Sequence, residues 1–245
     1  MTLLALDTST SWASVALYDG QSVLAEETWH AQRRHGDELF PTIERLLASA
    51  RSSLADVDRI AVATGPGSFT GLRIAIAAAQ GLARGAGAAL VGVSTLDVLA
   101  YPHAPSKQRT CPLLQAGRNE WYAAFYQERN RKWLRRSPYI VATLPDLCRQ
   151  IGTHTLFVGE IDAEAMSMLR DLLGPKALFA SPASRMRRAG YLAELGWHAL
   201  ETAPQAKLGE IEPIYVKQPA IRTSFDQPFA PVPSGDDALG LPRRS

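Results

Sequence analysis

The first hundred residues read as short apolar runs broken by turn-forming clusters, and the period of the pattern changes along the way. Leu3 to Leu6 is an apolar run that stops at Asp7-Thr8-Ser9-Thr10; Ala13 to Tyr18 follows, then the turn Asp19-Gly20, then Ser22 to Trp29. Short apolar segments around an Asp-Gly turn predict an antiparallel hairpin or meander. The period then becomes helical, with Leu39, Ile43, Leu46, Leu47 and Ala50 on one stripe and Glu38, Thr42, Arg45 and Ser49 opposite. Gly36-Asp37 supplies the N-cap in this reading, and Pro41 falls near the first turn, where proline is tolerated. Arg59 to Ala63 is a fourth strand, followed by the glycine-rich Gly65-Pro66-Gly67-Ser68-Phe69-Thr70-Gly71. Phe69 to Arg84 is helical in period, Leu90 to Val93 is a strand, and Ser94 caps a short helix to about Ala100.

Tyr101-Pro102-His103-Ala104-Pro105-Ser106 marks a boundary, because two prolines in a polar stretch cannot continue a helix. Beyond it, Cys111 to Gln115, Trp121 to Tyr126, Trp133 to Val141, Thr155 to Val158 and Ala177 to Phe179 predict strands. Leu144 to Gln150, Ala163 to Leu173 and Arg185 to Thr202 predict helices. The chain is thus expected to form a first lobe over 1–103, a second over 104–220 and a mobile tail over 221–245, where prolines and charges gather. The fold class is α/β or α+β, with α/β the one expected: two similar lobes with mixed sheets flanked by helices.

Composition narrows the function classes. An apolar fraction of 46% and a charged fraction of 20% belong to an ordinary globular protein, and a net charge of +2 gives no global field for nucleic acid or anionic membrane. Cys111 and Cys148 match neither a disulfide framework nor a CxxC metal pattern; a reducing cytoplasm is expected, with one buried disulfide left open. No apolar run reaches bilayer length, and the start lacks the basic n-region of a signal peptide. A cytoplasmic protein with no membrane contact is the expectation.

The glycine-rich segment sits between a strand and a helix, where backbone N–H groups can hold an anion. It is no Walker A loop, since no Lys-Ser or Lys-Thr follows, and its glycines at 65, 67 and 71 do not fit GxGxxG. Nor is it a serine-hydrolase elbow, because Pro66 stands where the first glycine would be. On spacing alone it is a tight turn capped by Ser68, with Gly65, Gly67, Ser68 and Thr70 as a candidate nucleotide or anion loop. In the following helix only Thr70, Arg73, Gln80 and Arg84 are polar over some fifteen residues. Such a helix wants neighbours on more than one face, from its own lobe or from a partner. His30 and His35 lie five apart, off any common helix face, and His103, His154 and His198 stand singly, so none forms a metal set. Arg129, Arg131, Lys132, Arg135 and Arg136 surround Trp133, with Tyr122, Phe125 and Tyr126 upstream; a hairpin tip with solvated charges competes with RNA contact there. Arg185, Arg187 and Arg188 read as the exposed start of the last helix.

Several of these segments together resemble the TsaB (YeaZ) family. They are Leu4-Ala5-Leu6-Asp7-Thr8-Ser9, His35-Gly36-Asp37-Glu38-Leu39-Phe40-Pro41, Gly65 to Arg73 without a break, Gly92-Val93-Ser94-Thr95-Leu96 and Pro213-Ile214-Tyr215-Val216-Lys217. The resemblance is dense over 1–100, patchy over 110–217 and absent beyond about 222. It implies an actin-like, Hsp70-like arrangement of two lobes. It also implies pairing through the two helices of the first lobe, either with a second copy or with the catalytic paralogue TsaD. Leu39, Phe40, Ile43 and Leu47 of the first helix and Phe69, Arg73, Ile76, Ala77 and Gln80 of the second are the implied interface. The resemblance further implies the ATPase TsaE as a partner through the complex, and contact with tRNA only indirectly. The complex transfers threonylcarbamoyl from an adenylate, made by TsaC, to N6 of adenosine 37 in tRNAs reading ANN codons. Thr95 and Leu99 stand where TsaD-like proteins carry a metal-binding His-x-x-x-His pair, so no metal site is expected there. Asp7-Thr8-Ser9 lacks the glycine of an actin-like phosphate hairpin, and Gln115-Ala116-Gly117-Arg118-Asn119-Glu120 departs from the Asp-Ala-Arg usual in the family. The implied role is a scaffold without catalytic residues or a cofactor of its own, with ATP or ADP at the joint interface. An actin-like phosphotransferase and a glycoprotease are the competing readings, the first resting on lobe layout alone.

Overall fold

The runs and stripes of the first hundred residues become β1 (Thr2–Asp7), β2 (Trp12–Tyr18), β3 (Val23–His30), α1 (His35–Ser49), β4 (Val57–Gly65), α2 (Phe69–Ala86) and β5 (Ala89–Ser94). The structure, a computed structural model, describes residues 1–32, 34–104, 108–129, 132–202, 211–214 and 216, with backbone alone at 132. The expected tail over 221–245, and Pro105, Ser106, Arg131 and Lys217, lie outside the described residues. β1 to β3 form an antiparallel meander while β1, β4 and β5 run parallel, in the order β3-β2-β1-β4-β5. The hairpin closes as its Asp-Gly pair predicts: Asp19 Oδ1 accepts from the amides of Gln21 (2.8 Å) and Ser22 (2.7 Å).

The two faces of this sheet differ. Because side chains alternate, Leu4, Leu6, Val15, Leu17, Ile60, Val62 and Leu90 share one face, where they pack with Leu39, Ile43, Leu46 and Leu47 of α1 and Ala75, Ile76 and Ala79 of α2. The opposite face is small-sided: Ala5 sits in register with Ala16 on one side and Ala61 on the other. A helix can lie close on such a face, and α6 (Ala189–Thr202) does so, packing on β1, β2, β4 and β5. A Cβ at Gly196 would stand 2.4 Å from Ala61 Cβ. The sheet also satisfies the start of this helix, since Ala189 N–H donates to Ser14 Oγ (2.9 Å) and Gly190 N–H to Glu26 Oε1 (2.8 Å).

This arrangement changes the expected lobe bounds of 1–103 and 104–220. One compact unit is Met1–Val98 with Arg187–Tyr215, and the other is built on Leu99–Met186. The last helix begins at Ala189 rather than Arg185, and it completes the first sheet because a sheet bare on one face must be covered. Ile211 joins the same core, and Ile214 N–H donates to the Thr64 carbonyl at 2.7 Å. α1 begins at His35 after Arg34, with no side-chain cap, so Gly36-Asp37 is not its N-cap. Pro41 therefore lies in the second turn and leaves the exposed Asp37 carbonyl without an amide from position 41.

The short helix α3 (Thr95–Ala100) follows β5. The second unit holds β6 (Arg109–Gly117), β7 (Glu120–Ala123), β8 (Tyr126–Arg129), β9 (Lys132–Arg135), β10 (Ile140–Ala142), α4 (Leu144–Cys148), β11 (Thr155–Gly159), α5 (Ala163–Leu173) and β12 (Ala177–Phe179). Its sheet runs β10-β7-β6-β11-β12, with β8 pairing β6 and β9. Two strands expected as single runs are each broken in two. Ser137 explains the second break: its hydroxyl accepts from Phe125 N–H (2.9 Å) and donates to the Pro138 carbonyl (2.9 Å), and Pro138 has no N–H for a ladder. Tyr126 and Trp133 stack at 6.4 Å between ring centroids and are buried, as is Phe125, so these aromatics belong to the core and are not presented to bases. Both sheets are mixed and flanked by helices, as expected for the α/β class. Among the described residues no helix is long and apolar enough to cross a membrane.

Cys111 and Cys148 are buried free thiols in the second core, so the disulfide left open by the sequence is not formed. Burial pushes both thiols up, that of Cys148 to about 11 and that of Cys111 further. The thiolate is the reactive form, so iodoacetamide at pH 8 should modify neither cysteine in the native chain and both in urea, read by mass spectrometry. Label on the native chain would contradict this packing.

Candidate functional site

The glycine-rich segment is pressed against the turn that follows β1. Ser68 N–H donates to the Ser9 carbonyl at 2.7 Å, and Thr8 Oγ1 donates to the Gly71 carbonyl at 2.7 Å. The glycines at 67 and 71 are there for this approach. A Cβ at Gly67 would lie 2.2 Å from Ser9 O, and one at Gly71 2.0 Å from Thr8 O. Gly65 takes φ +101°, a left-handed value that lets β4 turn into the loop. Ser68 caps α2 as expected, its hydroxyl accepting from Gly71 N–H at 3.3 Å. Two of the amides that an anion would need, those of Ser68 and Gly71, are thus bonded to the chain itself. Thr70 is exposed beside them.

Asp7 is engaged in the same way. One carboxylate oxygen accepts from the amide (2.8 Å) and the hydroxyl of Ser9. The other accepts from Arg187 Nε at 2.8 Å, and Arg187 Nη2 donates to Thr10 Oγ1 (2.9 Å) and the Trp12 carbonyl (3.0 Å). Arg187 is 4% exposed. The expectation of an exposed Arg185-Arg187-Arg188 helix start is corrected here: Arg187 precedes the helix and is a buried partner of Asp7. Burial of a guanidinium demands such a partner set, because an unpaired buried charge is prohibitively costly. Sequence reasoning missed this residue, and nothing in an Arg-Met-Arg-Arg run marks which arginine turns inward. It also missed His35, whose Nε2–H donates to the Thr10 carbonyl at 2.6 Å from under the same turn. The start of α1 and the start of α2 therefore rest on one turn.

Eight of the nine residues implied as an interface separate into two groups, with Gln80 between them. Leu39, Ile43, Leu47 and Ile76 are buried in the first unit's own core, Ile43 being 3% exposed. They are the inward stripe of each helix and are corrected from interface to core. Phe40 and Phe69 are 47% and 51% exposed, and Arg73 and Ala77 are exposed. The Arg73 guanidinium lies 3.8 Å over the Phe69 ring. Gln80 is half-buried and donates to the Ile211 carbonyl at 3.3 Å, holding the returning chain against α2. Further along the outward face stand Gly81, Arg84 and Gly85, and a Cβ added at either glycine would meet nothing. Phe69, Arg73, Ala77, Gly81 and Arg84 follow one helical stripe.

In the second unit, the turn that departs from Asp-Ala-Arg forms one wall of an open cleft of about 420 Å³, where Gln115, Asn119 and Trp121 face Leu144, Asp162 and Met168. Among the described residues, no group of three or more His, Cys, Asp or Glu is placed to hold a metal ion.

Comparison with known proteins accords with these features. A family model described as TsaD, tRNA N6-adenosine threonylcarbamoyltransferase, matches residues 24–136. The tRNA threonylcarbamoyladenosine biosynthesis protein TsaB of Bacillus subtilis (strain 168) is 30% identical over 199 residues, 80% of this chain and 87% of that protein. The TsaB of Escherichia coli (strain K12) is 38% identical over 136 residues, 54% of this chain and 58% of that protein. The structure of YeaZ from Pseudomonas aeruginosa superposes with a TM-score of 0.70 at 28% identity, covering 88% of this chain and 99% of that one. The fold is thus that of YeaZ, in the two-lobed class that the resemblance implied. With a TsaB relative 30% identical over 80% of its length and a YeaZ structure that superposes over 88% of it, the chain belongs to the TsaB (YeaZ) family.

Proposed function

We propose that this chain is a non-catalytic partner subunit in the formation of threonylcarbamoyladenosine on tRNA. In this reading it docks a TsaD-type catalytic paralogue on the outward faces of α1 and α2. The observation that carries the proposal is the outward stripe of α2, where the exposed Phe69 under Arg73 is followed by the exposed Ala77 and by Gly81 with open space beside it. An aromatic anchor beside small residues lets another helix approach closely, and a glycine with nothing against it weakens a helix unless a neighbour comes from outside. The engagement of both Asp7 oxygens by Ser9 and Arg187 adds support, since that carboxylate is not offered to a phosphate-bound cation. Alone, the same face pairs two copies of the chain. A nucleotide, ATP or ADP, belongs to the joint surface with the catalytic subunit; the TsaE-type ATPase and tRNA meet this chain through the complex, in the cytoplasm.

The test is co-purification with the TsaD-type paralogue of the same cell. Wild type should bind, whereas Ala77→Glu should weaken binding about a hundredfold, the effect of a charge buried without a partner at an interface core. Its melting temperature should stay within about 2 °C of wild type, because position 77 is exposed. Failure of the wild-type chain to bind the paralogue would sink the proposal. Full binding by Ala77→Glu would show that the surface is elsewhere.

A further inference from the structure

A single hydrogen-bonded path runs from the returning chain to the first turn of α2. Arg187 holds Asp7, Thr10 and Trp12, Asp7 holds the Ser9 amide, and the Ser9 carbonyl holds the Ser68 amide. Thr8, inside the same turn, holds the Gly71 carbonyl. Arg187, Asp7, Thr8 and Ser9 are all buried, so water competes little for the bonds among them. We propose that Arg187 is a positioning residue for the partner-binding face: it fixes the turn on which α2 begins and thereby where Phe69 and Arg73 stand. This inference rests on reading that face as the docking surface.

Two features set this role apart from simple tethering of the C-terminal segment. Arg187 uses its planar fork on three acceptors of one turn, a geometry that the point charge of a lysine does not reproduce. Its neighbour Arg188 ties the same segment to the sheet through Glu26 and lies over Tyr191, with no bond to the turn. Arg188 tethers, while Arg187 both tethers and shapes.

The experiment uses the full chain in three single variants: Arg187→Gln, Arg187→Lys and Arg188→Gln. Dissociation from the purified catalytic paralogue is measured together with hydrogen exchange at single amides. Arg187→Gln should bind about tenfold more weakly, through faster dissociation, a loss of the size usual for coupling between distinct sites. The amides of Ser68 and Gly71 should exchange faster while those of β1 and β4 stay protected. Arg187→Lys should recover part of the affinity. Arg188→Gln should bind like wild type, with faster exchange confined to the start of α6. A folded Arg187→Gln with wild-type affinity and unchanged exchange at Ser68 and Gly71 overturns the proposal, as does an equal loss of affinity in Arg188→Gln. Should Arg187→Gln fail to fold, the uncharged pair Asp7→Asn with Arg187→Gln is measured in its place, with the same expected and overturning results. If the wild-type chain binds no paralogue, the docking reading fails by itself; exchange at Ser68 and Gly71 then decides whether Arg187 shapes the loop.

Discussion

Replacing Gly71 by alanine is expected to lower stability by about 3 kcal/mol, the upper part of the usual cost of forcing extra volume into a packed site. The new methyl would meet the Thr8 carbonyl oxygen at 2.0 Å. That oxygen cannot easily retreat, because Thr8 is held to the Gly71 carbonyl by its own hydroxyl. The same change at Gly81, ten residues along the same helix, should instead stabilise the chain by up to about 1 kcal/mol, since alanine is the better helix former and nothing stands in its way. Urea unfolding of the two variants checks both signs at once. A Gly71→Ala variant as stable as wild type would contradict the close contact of loop and turn.

The second large effect concerns Gly196. Alanine there should cost about 2 kcal/mol, because its Cβ would fall 2.4 Å from Ala61 Cβ and 3.3 Å from Val91 Cγ1, forcing α6 off the sheet. Removing the opposing methyl should relieve the strain. The Ala61→Gly, Gly196→Ala double variant is expected to be more stable than Gly196→Ala, despite the cost of about 1 kcal/mol for a glycine in a strand. Two residues in contact should show such non-additivity, and strictly additive losses in urea unfolding would mean that α6 does not lie on Ala61.

Most elements were legible in the sequence, since each announces itself by period. Ala163–Leu173 and Ala177–Phe179 fall where expected, and Ser68 caps α2. What period does not reveal is the layer that covers a face. The stripe Leu39, Ile43, Leu46 and Leu47 is apolar because it faces the chain's own sheet, so the residues free to meet a partner lie off it, at Phe40 and on the far side of α2. The glycine loop was legible as a strand-to-helix turn, but not the reason for each glycine. Gly67 and Gly71 serve contact with a turn about sixty residues earlier in the chain, whereas a side chain at Gly81 or Gly85 would meet nothing. Arg187 was the hardest to read. Its burial depends on an aspartate 180 positions away, and an arginine-rich run otherwise looks solvated. The strand breaks at Ser137-Pro138 were a smaller miss with a local cause, a serine hydroxyl taking the place of a ladder partner.

The return of residues 187–202 and 211–214 to the first sheet also bears on how the chain is made. While the ribosome is still synthesising the second unit, the emerging meander and β4–β5 have α1 and α2 for one face and no cover for the other. The row Ala16, Ala5 and Ala61 stays open to water until α6 has been synthesised, and Asp7 waits just as long for its arginine. The first unit to begin is therefore the last to finish, and its folding is governed by contacts of very long sequence separation, which close slowly. A nascent chain that stalls before Arg187 exposes one bare face of the sheet, the kind of surface that chaperones and proteases recognise, and only product that includes α6 hides it.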